Sequence, residues 1–272
     1  MSFEKVGDGA LDYMPYRLSS SRLAFRGPQP DLSGKYTVFL GGTETYGKFV
    51  PKPYPQRIAE MTGRQCANFG VVNAGIDVFL HTPAVLQAAH QAEMTVIQIM
   101  GAHNMSNRYY SVHPRRNDRF TGASSTMQMT FRELDFTEFH FTRHMVGALA
   151  ARAPDRYAAM IEELRKAWVA RMKLLIATID APVTLLWFAD HAPTGNCTQR
   201  GMGRDPLFVD REMLDLLRPM VSGLVEAVVS PEALSQGVRG MVFRDLERPA
   251  AMRMLGCQAH DEAANALLSM LA

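Results

Sequence analysis

The chain has 272 residues, of which 47% are hydrophobic, and a formal net charge of +2 at pH 7. This length and apolar content suffice for one large α/β domain or two small ones. The small net charge argues against a protein whose whole surface binds nucleic acid or an anionic membrane. Three cysteines without CxxC spacing argue against a disulfide framework or a zinc ribbon and favour a reducing compartment. Because neither a signal-peptide pattern nor a membrane-length apolar run is present, we expect a cytoplasmic protein.

An extended N-terminal arm, residues 1–35, precedes the regular part of the sequence. It carries tyrosines and prolines among polar residues without clear periodicity, so we expect it to pack through its aromatic side chains. It is also a candidate contact in a homodimer. The first strand is predicted at 36–41, and the glycines that follow it place Thr43 at the carboxyl end of that strand. The alternative is an ordinary strand-to-helix turn in which Thr43 is a helix N-cap.

Helical and strand patterns then alternate along the chain. Helices are predicted at 53–63, 81–93, 134–152, 154–180, 208–220, 231–237 and 260–272, and strands at 66–72, 94–100, 181–189 and 222–230. The polar and basic stretch 103–133 is predicted to be a long inserted loop near the site, and 191–206 a second irregular loop. This alternation indicates one domain, residues 36–272, with a parallel sheet covered by helices on both faces.

Four polar positions lie where predicted strands end and where the last helix begins. In chain order they are Thr43, the turn 70–73, the turn 101–104 and His260. This order resembles that of the SGNH/GDSL hydrolase superfamily. The segment LGGTETYG is similar to that family's G-D-S-x-T-x-G block, with Thr43 at the position of the nucleophilic serine. The resemblance implies a flavodoxin-like, doubly wound parallel sheet of about five strands and an esterase type of site.

The other blocks of that superfamily are present in altered form. Residues 68–73 resemble its N-x-G-x-x-G block, with Asn73 where a glycine is expected. Residues 101–104 resemble G-x-N-D, so that the asparagine is either one position late or replaced by His103. The last block, D-x-x-H, corresponds to 257–260, where the histidine is kept and the aspartate is not. The chain also resembles a bacterial family with the segments GGTETYG and HPRRNDRF, whose activity is not assigned.

The resemblance implies Thr43 as nucleophile, His260 as base, and Gly70, Asn73 and Asn104 as oxyanion donors. The threonine methyl group would crowd attack, and a histidine without a carboxylate partner loses control of its tautomer. The candidate carboxylates to replace that partner are Asp205, Asp210 and Asp261. The alternative is a purely structural role for these residues, in turns and at a helix start.

A basic cluster follows the third predicted strand. Its members are Arg108, His113, Arg115, Arg116 and Arg119, with Tyr109, Tyr110 and Phe120 between them. Guanidinium groups bind carboxylate, sulfate or phosphate, and aromatic rings offer stacking faces, so the cluster predicts an anionic substrate. The alternative is a solvated loop that is paired internally through Asp118.

We therefore expect a hydrolase or acyltransferase acting on an ester of an anionic or carbohydrate-like small molecule or glycan. The alternative is a non-catalytic protein that binds an anionic glycan, a sulfated metabolite or a nucleotide through its arginine-rich loop. We expect no cofactor, no metal, and no nucleic-acid or membrane partner. His140 and His144 have the spacing of neighbouring ligands on a helix, but neither an HExxH pattern nor a third ligand accompanies them.

Overall fold

A computed structural model describes residues 9–18, 21–194 and 202–271. Its strands are β1 (Tyr36–Leu40), β2 (Gln65–Asn68), β3 (Met94–Gln98), β4 (Tyr110–His113), β5 (Arg116–Ala123), β6 (Val183–Ala189) and β7 (Gly223–Val228). Five of them form one parallel sheet in the order β2-β1-β3-β6-β7, and β4 and β5 form a separate antiparallel hairpin. This order confirms the predicted doubly wound, flavodoxin-like sheet.

The helices of the described chain are α1 (Thr43–Tyr46), α2 (Tyr54–Thr62), α3 (Ile76–Leu80), α4 (Pro83–His90), α5 (Ser125–Thr130), α6 (Thr142–Arg152), α7 (Pro154–Ile179), α8 (Arg211–Asp215), α9 (Pro231–Ser235), α10 (Arg248–Ala251) and α11 (Cys257–Leu271). Short 3-10 turns lie at 136–138, 218–220 and 245–247. No helix in these ranges is both long enough and apolar enough to cross a membrane.

Alternating side chains of the sheet supply two hydrophobic cores. Val38 of β1 packs with α3, α4 and α7 on one face, whereas the adjacent Phe39 packs with α2 and α11 on the other. Every residue of β1 and β6 is buried, as expected for strands with helices on both faces. The connections from β1 to β2 and from β2 to β3 lead in opposite directions along the sheet, so a crevice forms beyond the carboxyl ends of β1 and β3.

The predicted inserted loop at 103–133 is wrong in detail, because β4, β5 and α5 form within it. The hairpin has its own small core, which includes Tyr110, Phe131 and Met145. The side chain of Asn117 in β5 fastens the hairpin to the sheet domain, since its Oδ1 accepts hydrogen bonds from the N–H groups of Gly75 and Val78, each at 3.0 Å.

Several predicted helices also differ from the observed ones. The helix predicted at 134–152 begins only at Thr142, because Phe136 and Phe139 turn into the core of the hairpin. The last helix begins at Cys257 rather than at His260, whose N–H already donates to the carbonyl of Gly256. The sequence did not predict α3, and the helix predicted at 208–220 is divided into α8 and a 3-10 turn. Residues 195–201 of the second predicted loop, with Cys197, lie outside the described residues.

One buried arginine fastens the N-terminal arm to the sheet domain. The Arg26 guanidinium, 6% exposed, donates to four backbone carbonyls between α1 and α2. The acceptors are Tyr46, Gly47, Val50 and Pro51, at distances from 2.5 to 3.2 Å. Phe25 adds an edge-to-face contact with Phe69, at 5.0 Å between centroids. The arm therefore lies against the turn that carries Thr43.

Candidate functional site

The turn after β1 is held by one buried glutamine. Gln98, at the end of β3, accepts through its Oε1 from Gly42 N, Thr45 N and the Thr45 hydroxyl, at 3.0, 3.3 and 2.6 Å. A side chain at Gly41 would collide with the Thr45 hydroxyl and with Gln98, so this position requires glycine. These contacts fix the single helical turn α1, and Thr43 is its first residue rather than its N-cap, which is Gly42.

Thr43 and Asn73 hydrogen-bond to each other in both directions. The Asn73 N–H donates to Thr43 Oγ1 at 3.0 Å, and the Thr43 hydroxyl donates to Asn73 Oδ1 at 3.2 Å. Asn73 adopts a left-handed backbone conformation, with φ of 55°, which asparagine tolerates better than most residues. Thr43 is 7% exposed. Its hydroxyl thus lies at the carboxyl end of β1, oriented by the turn that follows β2.

A network of polar side chains supports this pair. Asn73 Nδ2 donates to Asp118 Oδ2 at 3.3 Å, and Asn104 Nδ2 donates to the Asn73 carbonyl at 3.2 Å. The Thr142 hydroxyl, at the start of α6, donates to Asn104 Oδ1 at 2.6 Å. The hairpin and α6 therefore hold Asn73, directly and through Asn104, in its contact with the Thr43 hydroxyl.

A cleft of about 410 Å³ opens beside Asn73, which is one of its lining residues, whereas the buried Thr43 is not. Its lining residues come from the arm, α1, the turn after β2 and the turn of the hairpin. They are Arg22, Leu23, Ala24, Tyr46, Val71, Val72, Asn73, Arg115 and Arg116. Arginines thus line the cleft from two sides, and the remaining lining is largely apolar.

Only part of the predicted basic cluster lines this cleft. Arg115 and Arg116 do, whereas Arg119 stacks over the Phe141 ring, with its guanidinium 4.5 Å from the centroid. Arg108 is exposed outside the lining, and His113 Nδ1 accepts the backbone N–H of Arg115 at 3.2 Å. Arg116 and Arg119 lie three positions apart in β5, and residues an odd number of positions apart on a strand point to opposite faces of the sheet.

His260 lies in the core between α2 and α11. Its Nδ1 accepts a hydrogen bond from Tyr54 N at 3.2 Å, its ring stacks on the Tyr54 ring, and Phe188 contacts it edge-on. Burial lowers the pKa of His260 to about 3, and the positive charges of Arg57 and Arg26 lower it further. The structure does not hydrogen-bond this imidazole to Thr43, so it does not bring the two together in the arrangement that the sequence predicted.

The three carboxylates considered as partners of His260 have other partners. Asp261 pairs with Arg57. Asp210 is buried, pairs with Arg165 and caps α8. Asp205 pairs with Arg143 at 2.7 Å. None of the three hydrogen-bonds to His260 in the described structure.

The N–H of Gly70 is also engaged, because it donates to Asn68 Oδ1 at 2.9 Å. A Cβ at Gly70 would collide with the backbone of Tyr46, so this glycine permits the close approach of the turn after β2 to α1. Its part in the site is therefore to bring Asn73 within reach of Thr43.

Two further titratable side chains, Glu44 of α1 and His103, have pKa values that burial shifts. The carboxylate of Glu44 accepts from Gln98 Nε2 at 3.1 Å, and burial raises the pKa of Glu44, with a further contribution from the negative charge of Asp205. His103 is 6% exposed, and its Nδ1 has no hydrogen-bond partner in the described structure. Burial lowers the pKa of His103 to about 4. Within the described ranges, no cluster of three or more His, Cys, Asp or Glu side chains has a geometry that could hold a metal ion.

Sequence reasoning missed five residues of the site, and four of them reach it from a distant part of the chain, whereas Tyr46 is only three residues from Thr43. The five are Arg22, Tyr46, Gln98, Asp118 and Thr142. Of these residues only Gln98 had a local signal in the sequence, because it is a polar residue at the end of an otherwise apolar strand.

Several solved structures, among them a lipase and an acetylxylan esterase, resemble the chain at low sequence identity. The extracellular lipase of Streptomyces rimosus is 11% identical, with a TM-score of 0.45 over 87% of this chain and 99% of the lipase. The acetylxylan esterase of Geobacillus stearothermophilus is 12% identical, with a TM-score of 0.44 over 88% of this chain and 95% of the esterase. At these values neither structure bears on the chemistry of this chain, and the fold rests on the order of its own strands. No curated protein sequence matches the chain.

One family profile matches the chain over residues 1–272. The match includes the arm that supplies Arg22, the turn that carries Thr43 and the hairpin that supplies Arg115 and Arg116. The arm and the hairpin are therefore parts of the family's domain, and the chain belongs to the family described as a domain of unknown function, DUF6473.

Proposed function

We propose that the protein hydrolyses, or transfers the acyl group of, an ester of a small anionic or carbohydrate-like molecule. The observation that carries this proposal is the Thr43 hydroxyl at the carboxyl end of β1, which is hydrogen-bonded to Asn73, a lining residue of the arginine-lined cleft. In sheets with this strand order, that edge is where ligands bind.

In the proposed reaction Thr43 Oγ1 bonds to the ester carbonyl carbon, and the bond from that carbon to the alcohol oxygen breaks. The alcohol leaves with a proton, and water or a second alcohol then releases the acyl group from Thr43. The Asn73 N–H, which donates to Thr43 Oγ1 at 3.0 Å in the resting site, would turn to the oxyanion, with the second N–H of Asn104 beside it.

Among the described residues, the Thr43 hydroxyl has no general base beside it to take its proton. Its proton points to an amide oxygen, Asn73 Oδ1, and an amide is not a base at neutral pH. Water in the cleft would then take the proton. We expect turnover about 10²- to 10⁴-fold below that of a site with a positioned general base.

A second candidate function is binding without turnover. It is favoured by the position of His260, whose Nδ1 accepts the Tyr54 N–H and whose pKa is lowered to about 3 by burial. A hydroxyl without a base, next to arginines, suits recognition of an anionic ligand as well as catalysis.

The experiment that tests the first function is hydrolysis of p-nitrophenyl acetate by wild type, Thr43→Val and Thr43→Ser. Valine keeps the shape of threonine and removes the hydroxyl, whereas serine keeps the hydroxyl and removes the methyl group that crowds attack. We expect slow turnover in wild type, none above background in Thr43→Val, and faster turnover in Thr43→Ser.

Thr178→Ala, on the exposed side of α7, is the matched control and should behave as wild type. Equal rates in wild type and Thr43→Val would remove Thr43 from the reaction. If wild type and Thr43→Ser are both inactive, binding without turnover is the function that remains.

A further inference from the structure

Two of the three arginines around the cleft lack carboxylate partners in the described residues. In the part of the chain that the structure describes, neither Arg22 nor Arg115 forms an ion pair, and Arg116 approaches Asp118 only at 3.9 Å. All three arginines are exposed. Since Asp118 offsets one of the three charges, the cleft has a formal surplus of two positive charges. Such a surplus is complementary to an anion with two negative charges.

Arg22 is held in the cleft by a folded segment. Four residues further along the chain, Arg26 donates to the carbonyls between α1 and α2, and its Nη1 reaches Gly47 O at 2.7 Å. Leu23 and Phe25 are buried on either side of Ala24, and Phe25 also pairs with Tyr16 in an antiparallel bridge. The backbone that carries Arg22 is thus fixed by buried contacts before any ligand binds.

The directions from which the arginine side chains enter the cleft indicate the shape of the anionic group that it binds. Arg22 approaches from the arm, whereas Arg115 and Arg116 approach from the hairpin turn. A tetrahedral phosphate presents three oxygens in different directions, so it accepts hydrogen bonds from guanidinium groups on both sides of the cleft at once. Leu23, Val71 and Val72 leave an apolar wall for the rest of the ligand.

We propose that this cleft binds a phosphate monoester with an apolar or ring-shaped organic part, and that Arg22 of the arm is a specificity-determining residue. A phosphate monoester carries about −1.5 to −2 charges at pH 7, which matches the surplus of the cleft, whereas carboxylates and sulfate monoesters carry one. The inference rests on the proposed function in one respect, namely that the cleft beside Thr43 is the substrate site.

The test is calorimetric titration at low ionic strength with phenyl phosphate, phenyl sulfate and benzoate. The proteins are wild type, Arg22→Gln and the matched control Arg64→Gln, in which an exposed arginine at the amino end of β2, the opposite edge of the sheet, is replaced. We expect wild type to bind phenyl phosphate about tenfold more tightly than either singly charged ligand, and Arg22→Gln to lose about tenfold or more of that affinity. Arg64→Gln should bind as wild type does.

Equal affinity for phenyl phosphate and benzoate, absence of binding by wild type, or unchanged affinity in Arg22→Gln would each overturn the inference. Hydrolysis of the uncharged p-nitrophenyl acetate is measured on the same proteins. Phosphate binding without turnover refutes the esterase and leaves the phosphate site standing, whereas turnover without phosphate binding does the reverse.

Discussion

His260 and Tyr54 are joined twice, by the hydrogen bond from Tyr54 N to His260 Nδ1 at 3.2 Å and by stacked rings with centroids 6.0 Å apart. Because Nδ1 accepts this N–H, the imidazole is neutral in the folded protein. Tyr54 in turn hydrogen-bonds through its hydroxyl to Thr45 at 2.8 Å, two residues from Thr43. His260 therefore has a structural role: through Tyr54 it stabilises the turn that carries Thr43.

This arrangement predicts a loss of stability in mild acid. The pKa of His260 is lowered to about 3 by burial, so between that value and about 6.5 the unfolded chain binds a proton that the folded chain does not. The contribution of neutral His260 to the free energy of unfolding is therefore fully present above about pH 6.5. It falls by about 1 kcal/mol per pH unit as the pH drops through this window. Urea unfolding between pH 7.5 and 5 measures the slope.

His260→Gln should remove the His260 contribution and so make this slope less steep, even though the loss of ring packing lowers the free energy of unfolding at every pH. The exposed His140→Gln is the control and should leave the slope unchanged. The same slope in wild type and His260→Gln would contradict a neutral, buried His260. His103, whose pKa is lowered to about 4 by burial, would contribute a second proton in both proteins.

Replacement of Asn73 separates its backbone role from its side-chain role. Asn73→Gly keeps the left-handed conformation, with φ of 55° in the native chain, and loses the amide contacts to Thr43 and Asp118. Asn73→Ala loses the same contacts and adds backbone strain, so we expect it to be less stable than Asn73→Gly by about 1 kcal/mol. Urea unfolding of the two variants checks this, and an alanine variant as stable as the glycine variant would refute it.

Gln98→Glu should introduce a repulsion that depends on pH. Gln98 donates through Nε2 to Glu44 Oε2 at 3.1 Å, and a glutamate would place a second carboxylate there. Two adjacent carboxylates cannot both ionise without cost, so the variant should lose about 2 to 4 kcal/mol at pH 7 and recover part of it as the pH falls. The free energy of unfolding of Gln98→Glu then decreases with rising pH, whereas the contribution of His260 increases with rising pH.

The control is Gln98→Met, which removes the hydrogen bonds without adding a charge. Its deficit relative to wild type should rise with pH less steeply than that of Gln98→Glu in the same unfolding measurements, because only the lost hydrogen bond to ionised Glu44 changes with pH. If Gln98→Glu and Gln98→Met have parallel pH profiles, Glu44 is not ionised beside position 98.

Arg26→Met should loosen the N-terminal arm. The guanidinium donates to four carbonyls of the connection between α1 and α2, and methionine would leave those partly buried acceptors unpaired. We expect a loss of about 3 kcal/mol in the free energy of unfolding and faster chymotrypsin cleavage after Tyr13 and Tyr16. The exposed Arg22→Gln should change neither, and unchanged cleavage in Arg26→Met would show that the arm is held by other contacts.

The local pattern of the sequence determined the layered fold. Helical segments alternate with the apolar run of β1, which ends in a glycine-bounded turn, and with the buried run of β3. This alternation is sufficient to predict a parallel sheet. It was also enough to predict that Thr43 lies at the edge where ligands bind. The inserted segment was harder to predict, because the charged residues of β5 hide the alternation of a strand.

The composition of the site was decided by the tertiary structure. The sequence spacing between Arg22 and Arg115, or between Asn73 and Asp118, has no periodicity that would indicate contact, and such pairs meet only after the sheet and the hairpin have closed. His260 illustrates the converse, because its position at the start of the last helix resembles a catalytic histidine while packing turns its ring toward Tyr54. Local sequence thus determined which elements form, whereas long-range packing decided which side chains share the cleft, because contact between distant residues depends on how whole elements dock.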